Sequence, residues 1–154
     1  MSDAWVSPER TSSVRRAGGV LIVVNGGRPV SDSDWGPIVA RLVDELRTRL
    51  PDGLLMVSPT QMISNAQRAT LIDALERAGI GHVPRVALVT RSLALRAGVT
   101  FIRWFLRART DVRAFAPGLE RNALAWLGER TPLDVDEALR LARADLEALG
   151  DKAM

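Results

Sequence analysis

The stretch Leu54 to Gly79, LLMVSPTQMISNAQRATLIDALERAG, constrains the fold more than any other. It opens on four consecutive apolar residues, Leu54-Leu55-Met56-Val57. So short and continuous a run reads as a strand covered on both faces. Ser58-Pro59-Thr60 turns the chain. Ser64-Asn65-Ala66-Gln67 then supplies a capping box, in which the serine oxygen accepts from the third helical amide and the glutamine reaches back to the cap's own amide. Leu71, Ile72, Leu75 and Ala78 recur at helical spacing, and Gly79 can end the helix in a left-handed conformation. The unit is strand, loop, capped helix.

The same alternation runs along the rest of the chain. Ser13–Ala17 reads as a half-exposed strand that hairpins through Gly18-Gly19 into the fully buried strand Val20–Val24. Asn25-Gly26-Gly27-Arg28-Pro29 is loop, and Ser31-Asp32-Ser33-Asp34 offers caps for a helix predicted over Trp35–Leu50. Ile38, Val39, Leu42, Val43, Leu46 and Leu50 form its apolar stripe, and Pro37 suits its first turn. Arg85–Thr90 is a further buried strand, and Val99–Arg109 a basic amphipathic helix. Asp111–Phe115 has the short alternating character of a sheet edge. Glu120–Leu127 is helical, and Asp134-Val135-Asp136-Glu137 caps a last amphipathic helix through Leu149.

Strands alternating with helices predict an α/β fold: a mostly parallel four- to five-stranded sheet with an antiparallel N-terminal edge strand, helices packed on it, and one extra C-terminal helix. Residues 1–11 read as an extended arm held by Trp5, 12–130 as the α/β domain and 131–154 as the C-terminal amphipathic helix.

Composition narrows the chemistry. The 154 residues suffice for one core, and the absence of cysteine removes disulfides, thiolate metal sites and cysteine nucleophiles together. No apolar segment approaches the roughly 20 residues that span a bilayer, and no signal peptide opens the chain, so a cytoplasmic location is expected. The net charge is +3. Arginine is concentrated in residues 85 to 131, where nine arginines face three acids. Such a surface suits an acidic protein or an anionic membrane, while nucleic acid is disfavoured by the small net charge.

Individual residues carry two readings each. Ser64 caps a helix, and the same place, at the positive end of a helix, suits a phosphate or another anion. Asn25-Gly26-Gly27-Arg28 sits at the carboxyl end of a buried strand, where open sheets bind ligands, but it has neither a dinucleotide fingerprint nor a phosphate loop and reads as a turn. Asp32 and Asp34 favour a helix start, with a metal shared with Asp52 as the competing reading. His82 has no second histidine for a metal and no serine elbow for hydrolysis. Phe101, Ile102, Trp104, Phe105 and Leu106 form a wide apolar face, with Arg103 and Arg107 opposite. That face packs on the sheet, rests on an anionic membrane or meets an apolar ligand.

Three places give the chain a family resemblance: Val20–Val24 leading to the Ser31–Asp34 cap, Leu54–Leu71, and Arg113–Leu127, where RAF is followed by ERNALAWL. Over roughly residues 12 to 130 the chain resembles the STAS-like family of bacterial anti-sigma factor antagonists and sulfate-transporter cytoplasmic ends. The last of the three is similar to the closing "aromatic, then Ala-x-x-Trp-Leu" of its lipid-carrier-like branch, which has a fold related to lipid-binding CRAL-TRIO domains. The resemblance implies a non-enzymatic regulatory module without cofactor or metal that binds another protein. Gln61, Asn65 and Arg68 are then the expected partner surface, beside Ser64 as a phosphorylation or anion site, with a lipid or anionic membrane surface as the alternative and a homodimer as a further assembly. Antagonists carry Asp-Ser-x-Gly where the second helix starts and are phosphorylated on that serine. Here the run is Ile63-Ser64-Asn65-Ala66-Gln67, without the aspartate or the glycine.

Overall fold

In the computed structural model, residues 3–58, 64–80, 82–91 and 110–150 are described. They form β1 (Trp5–Val6), β2 (Ser12–Ala17), β3 (Val20–Asn25), α1 (Asp32–Thr48), β4 (Gly53–Val57), α2 (Asn65–Arg77), β5 (Arg85–Val89), β6 (Asp111–Phe115), α3 (Glu120–Gly128) and α4 (Val135–Ala148). The strands make one sheet in the order β1-β2-β3-β4-β5-β6. β1, β2 and β3 pair antiparallel, and β3 to β6 pair parallel. The α/β class and the mostly parallel sheet are therefore as expected.

Strand count is a correction. The arm contributes β1, with Trp5 opposite Val14 and Val6 opposite Ser13, so the sheet has six strands where four to five were expected. Two residues are too few for a periodic signal, and tertiary pairing decides them.

The pleat sorts the apolar runs onto two faces. Val20, Ile22 and Val24 join Leu55, Val57, Ala87 and Val89 against α3 and α4. Leu21 and Val23 join Val14 against Trp35, Ile38, Val39 and Leu42 of α1. β3 is buried along its whole length, which is why its sequence shows no polar alternation. The last helix covers its own sheet: Ala138, Leu139, Ala142 and Leu146 lie in the core with Val20 and Ile22. Between β2 and β3, Gly18 has φ +57°, and a Cβ on Gly19 would stand 2.1 Å from Thr131 Oγ1. This hairpin therefore needs glycine first for conformation and second for close approach.

Two helix ends bear on the site. The α1 helix begins three residues earlier than predicted, at Asp32, because Ser31 is the cap and accepts from the Asp34 amide at 3.2 Å. Pro37 thus falls beyond the first turn, a second correction. The α2 helix starts and stops as expected. Its end is a Schellman arrangement, with Gly79 (φ +64°) donating to the Glu76 carbonyl and Ile80 to the Leu75 carbonyl. The predicted helix Val99–Arg109 lies outside the described residues.

Candidate functional site

Among the described strands the order never reverses, so that part of the sheet has no topological switch point. The candidate site is the amino end of α2, where the sequence places the anion and partner residues. Ser64 Oγ accepts from the Gln67 amide at 3.0 Å, and Gln67 Oε1 accepts from the Ser64 amide at 3.0 Å. The capping box read from sequence is present in full. Ser64 and Asn65 are exposed, and Arg68 Nη1 donates to Asn65 Oδ1 at 3.4 Å. Ser64, the expected anion site, thus shares one helical turn with Asn65 and Arg68 of the expected partner surface. Gln61 lies outside the described residues, as do Phe101, Arg103, Trp104, Phe105 and Arg107.

Gln67 does more than cap. Its Nε2 donates to the Val30 carbonyl at 2.8 Å and to Asp32 Oδ1 at 3.3 Å, while its own carbonyl accepts from Trp35 Nε1 at 2.8 Å. It is the one buried residue of α2, whereas α1 buries five. Thus α2 is fastened to α1 through this polar node and through Leu71 and Ala74, which pack half-buried on the α1 side of the core, while seven of its thirteen residues are exposed. The sequence signals the reciprocal cap, but its further partners Val30, Asp32 and Trp35 lie more than thirty positions away.

Nothing in the sequence marks Asp34 as an anchor. It is fully buried and accepts from Ser7 Oγ at 2.6 Å, from the Glu9 amide at 3.0 Å and from Thr11 Oγ1. Burial pushes its carboxyl pKa up, but the hydroxyls of Ser7 and Thr11 and the backbone at Glu9 and Thr11 outweigh this and hold it below the usual value. Around it the arm forms a strap. Glu9 accepts from the Ser31 and Ser33 hydroxyls, and Arg28 Nη2 donates to the carbonyls of Glu9 and Arg10, both at 2.9 Å. The Asn25–Arg28 loop is accordingly a tied turn. Asp52 bonds instead to Thr131 Oγ1 at 2.9 Å, beside the β2–β3 turn at the opposite end of the sheet. The metal grouping of Asp32, Asp34 and Asp52 is therefore overturned.

The other buried carboxylates are likewise engaged. Asp145 of α4 takes a bidentate pair from Arg15 of β2, both contacts at 2.7 Å, and Glu120 Oε1 accepts from the Gly118 amide at 2.7 Å. His82 is exposed. Among the described residues no three His, Asp or Glu side chains gather as a metal site requires, and no helix is long and apolar enough to cross a membrane.

No protein-family model matches the chain, and no curated protein matches it. Among solved structures it is similar to an anti-sigma factor antagonist from Mycobacterium paratuberculosis, at 18% sequence identity and a TM-score of 0.49, over 80% of this chain and 98% of that one. Among the described residues the order of elements is the strand-helix alternation that the sequence predicts, preceded by the short strand β1.

Proposed function

We propose that this chain is a non-catalytic regulatory module of the STAS-like kind, and that it binds another protein through the amino end and outer face of α2. The observation that carries the reading is the way α2 is held: Gln67 is its one buried residue, Leu71 and Ala74 pack half-buried on the α1 side of the core, and seven of its thirteen residues are exposed. A helix fixed in place but largely uncovered offers a preformed surface at little ordering cost. The buried carboxylates described above bind hydroxyls, amides or a guanidinium that hold the fold, which favours a binding role over acid-base chemistry.

A photo-crosslinking side chain placed at Asn65 in the native host tests this, with the same probe at Arg121 of α3, on the other face of the sheet, as control. A discrete protein adduct from position 65 alone, lost on Arg68→Glu, is the expected result. Ser64→Asp retains a capping oxygen and adds charge, so loss of the adduct in that variant would point to a phosphate-sensitive contact. Equal adducts from both positions would overturn the proposal. So would binding to anionic vesicles that disappears in Trp104→Ala with Phe105→Ala, if no protein adduct forms.

A further inference from the structure

The arm and α2 grip the same stretch of chain, residues 30–35. Gln67 of α2 holds the Val30 carbonyl and Asp32 Oδ1, and its own carbonyl accepts from Trp35 Nε1. The arm takes the residues in between. Ser31 Oγ donates to Glu9 Oε2 at 2.8 Å and Ser33 Oγ at 2.6 Å, while Asp34 receives the Ser7 and Thr11 hydroxyls and the Glu9 amide. Ser31 is also the cap of α1, accepting from the Asp34 amide at 3.2 Å. Every residue from Val30 to Trp35 is thus bonded to one of these two remote segments. Their apolar parts meet as well: Trp5 of β1 packs against the same cluster as Leu71 and Ala74 of α2, and that cluster includes Trp35 and Ile38.

The arm has the marks of a separable unit. Only Trp5 and Val6 pair it with β2, which is short for a strand. Its turn places Arg10 at φ +57°, a left-handed conformation that a residue bearing a Cβ enters at a cost. Ser7 opposes that strain: besides donating to Asp34, its Oγ accepts from the amides of Thr11 and Ser12, both at 3.1 Å. The bonds from Arg28 to the Glu9 and Arg10 carbonyls, and from Arg10 to the Ala148 carbonyl, are exposed to water. A short strand and a strained turn held by one polar hub open at lower cost than the core strands do.

We infer that the arm regulates the α2 surface: docked, it fixes residues 30–35 and through Gln67 holds the first turn of α2 in its binding geometry, and released, it loosens that turn. This rests on the proposed role of α2 as the partner surface. Coupling of this kind is reciprocal. A molecule that captures the released arm weakens binding at α2, and a protein bound at α2 tightens the arm. Among the described residues α3, on the other face of the sheet, shares none of these bonds.

The test measures amide hydrogen exchange by NMR on the isotope-labelled full chain, with no partner present. Ser7→Ala should speed exchange at the Ser64, Gln67 and Arg68 amides about tenfold, as a new local opening does, and leave the Ala123 amide of α3 unchanged. Glu9→Ala, at an exposed position, removes the side-chain contacts to Ser31 and Ser33 and should give the same pattern at about threefold. It decides the matter if Ser7→Ala fails to fold. In return, Gln67→Ala should speed the Glu9 and Thr11 amides, whose acceptors are Asp34 and Ser7 Oγ. The folding constants of Ser7→Ala, Gln67→Ala and the double variant should depart from additivity by about fivefold. Equal acceleration at Ala123, additive losses, or exchange at the first turn of α2 that ignores both arm variants would overturn the inference. Where the adduct from position 65 forms, Ser7→Ala should lower its yield, and an unchanged yield would also overturn it. Exchange coupling without any adduct would strike the α2 partner reading alone, because no partner enters the exchange measurement.

Discussion

Replacing Gln67 tests how α2 is held. Gln67→Ala removes the bond from the Ser64 amide at 3.0 Å and the bonds to the Val30 carbonyl at 2.8 Å and Asp32 Oδ1 at 3.3 Å. Ser64 and Asp32 are exposed, so water replaces part of the loss. Two well-placed bonds at about 1 kcal/mol each, with a buried methylene at about 0.8 kcal/mol, give a cost of roughly 2–3 kcal/mol. Ser64→Ala should cost about 1 kcal/mol, because it forfeits the cap alone. Gln67→Glu separates the two contributions. It keeps an acceptor for the Ser64 amide but loses both donors and sets a carboxylate against Asp32, so it should fall near Gln67→Ala although the cap is intact. Urea unfolding at constant slope measures all three. In a melting scan the alanine variant should lose about 4–12 °C, given some 2–4 °C per kcal/mol for a chain of this size. If Gln67→Glu is as stable as the unaltered protein, the bridge from α2 to α1 contributes nothing and the reasoning fails.

Asp34 should set part of the acid limb of stability. Its folded pKa lies below the usual value, so its contribution is complete above the unfolded value of about 3.9 and is lost as pH falls through the lower folded value. Asp34→Asn should therefore be less stable at neutral pH, with a flatter profile below about pH 4; an unchanged acid limb in equilibrium unfolding would refute this. Arg15→Ala leaves Asp145 buried without its guanidinium and should cost about 3–5 kcal/mol, whereas Arg15→Met with Asp145→Leu should recover most of the loss. Chemical denaturation of the two variants side by side checks the pair, and equal losses would show that the packing of α4 rests elsewhere.

Short-range patterns settled much of this protein in advance. The unbroken apolar runs at Val20–Val24 and Leu54–Val57 could be satisfied only by burial on both sides, so they announced a layered sheet. Ser64 with Gln67, and Gly79 beyond them, marked the limits of α2 because capping needs partners within a few residues. What the sequence left open involved distance along the chain. Asp34 reads as a dipole-favoured residue at a helix start, yet Ser7 and Thr11, more than twenty positions earlier, make it the buried anchor of the arm. Arg15 reads as an exposed strand residue until Asp145, 130 positions later, meets it under α4. Arg113 belongs to a strand that reads only as a sheet edge, and it is the placement of Trp126 from α3 that sets an indole beneath its guanidinium. Periodicity and caps are local energies written in adjacent residues, whereas a buried charge acquires its partner only when chain topology brings remote segments together.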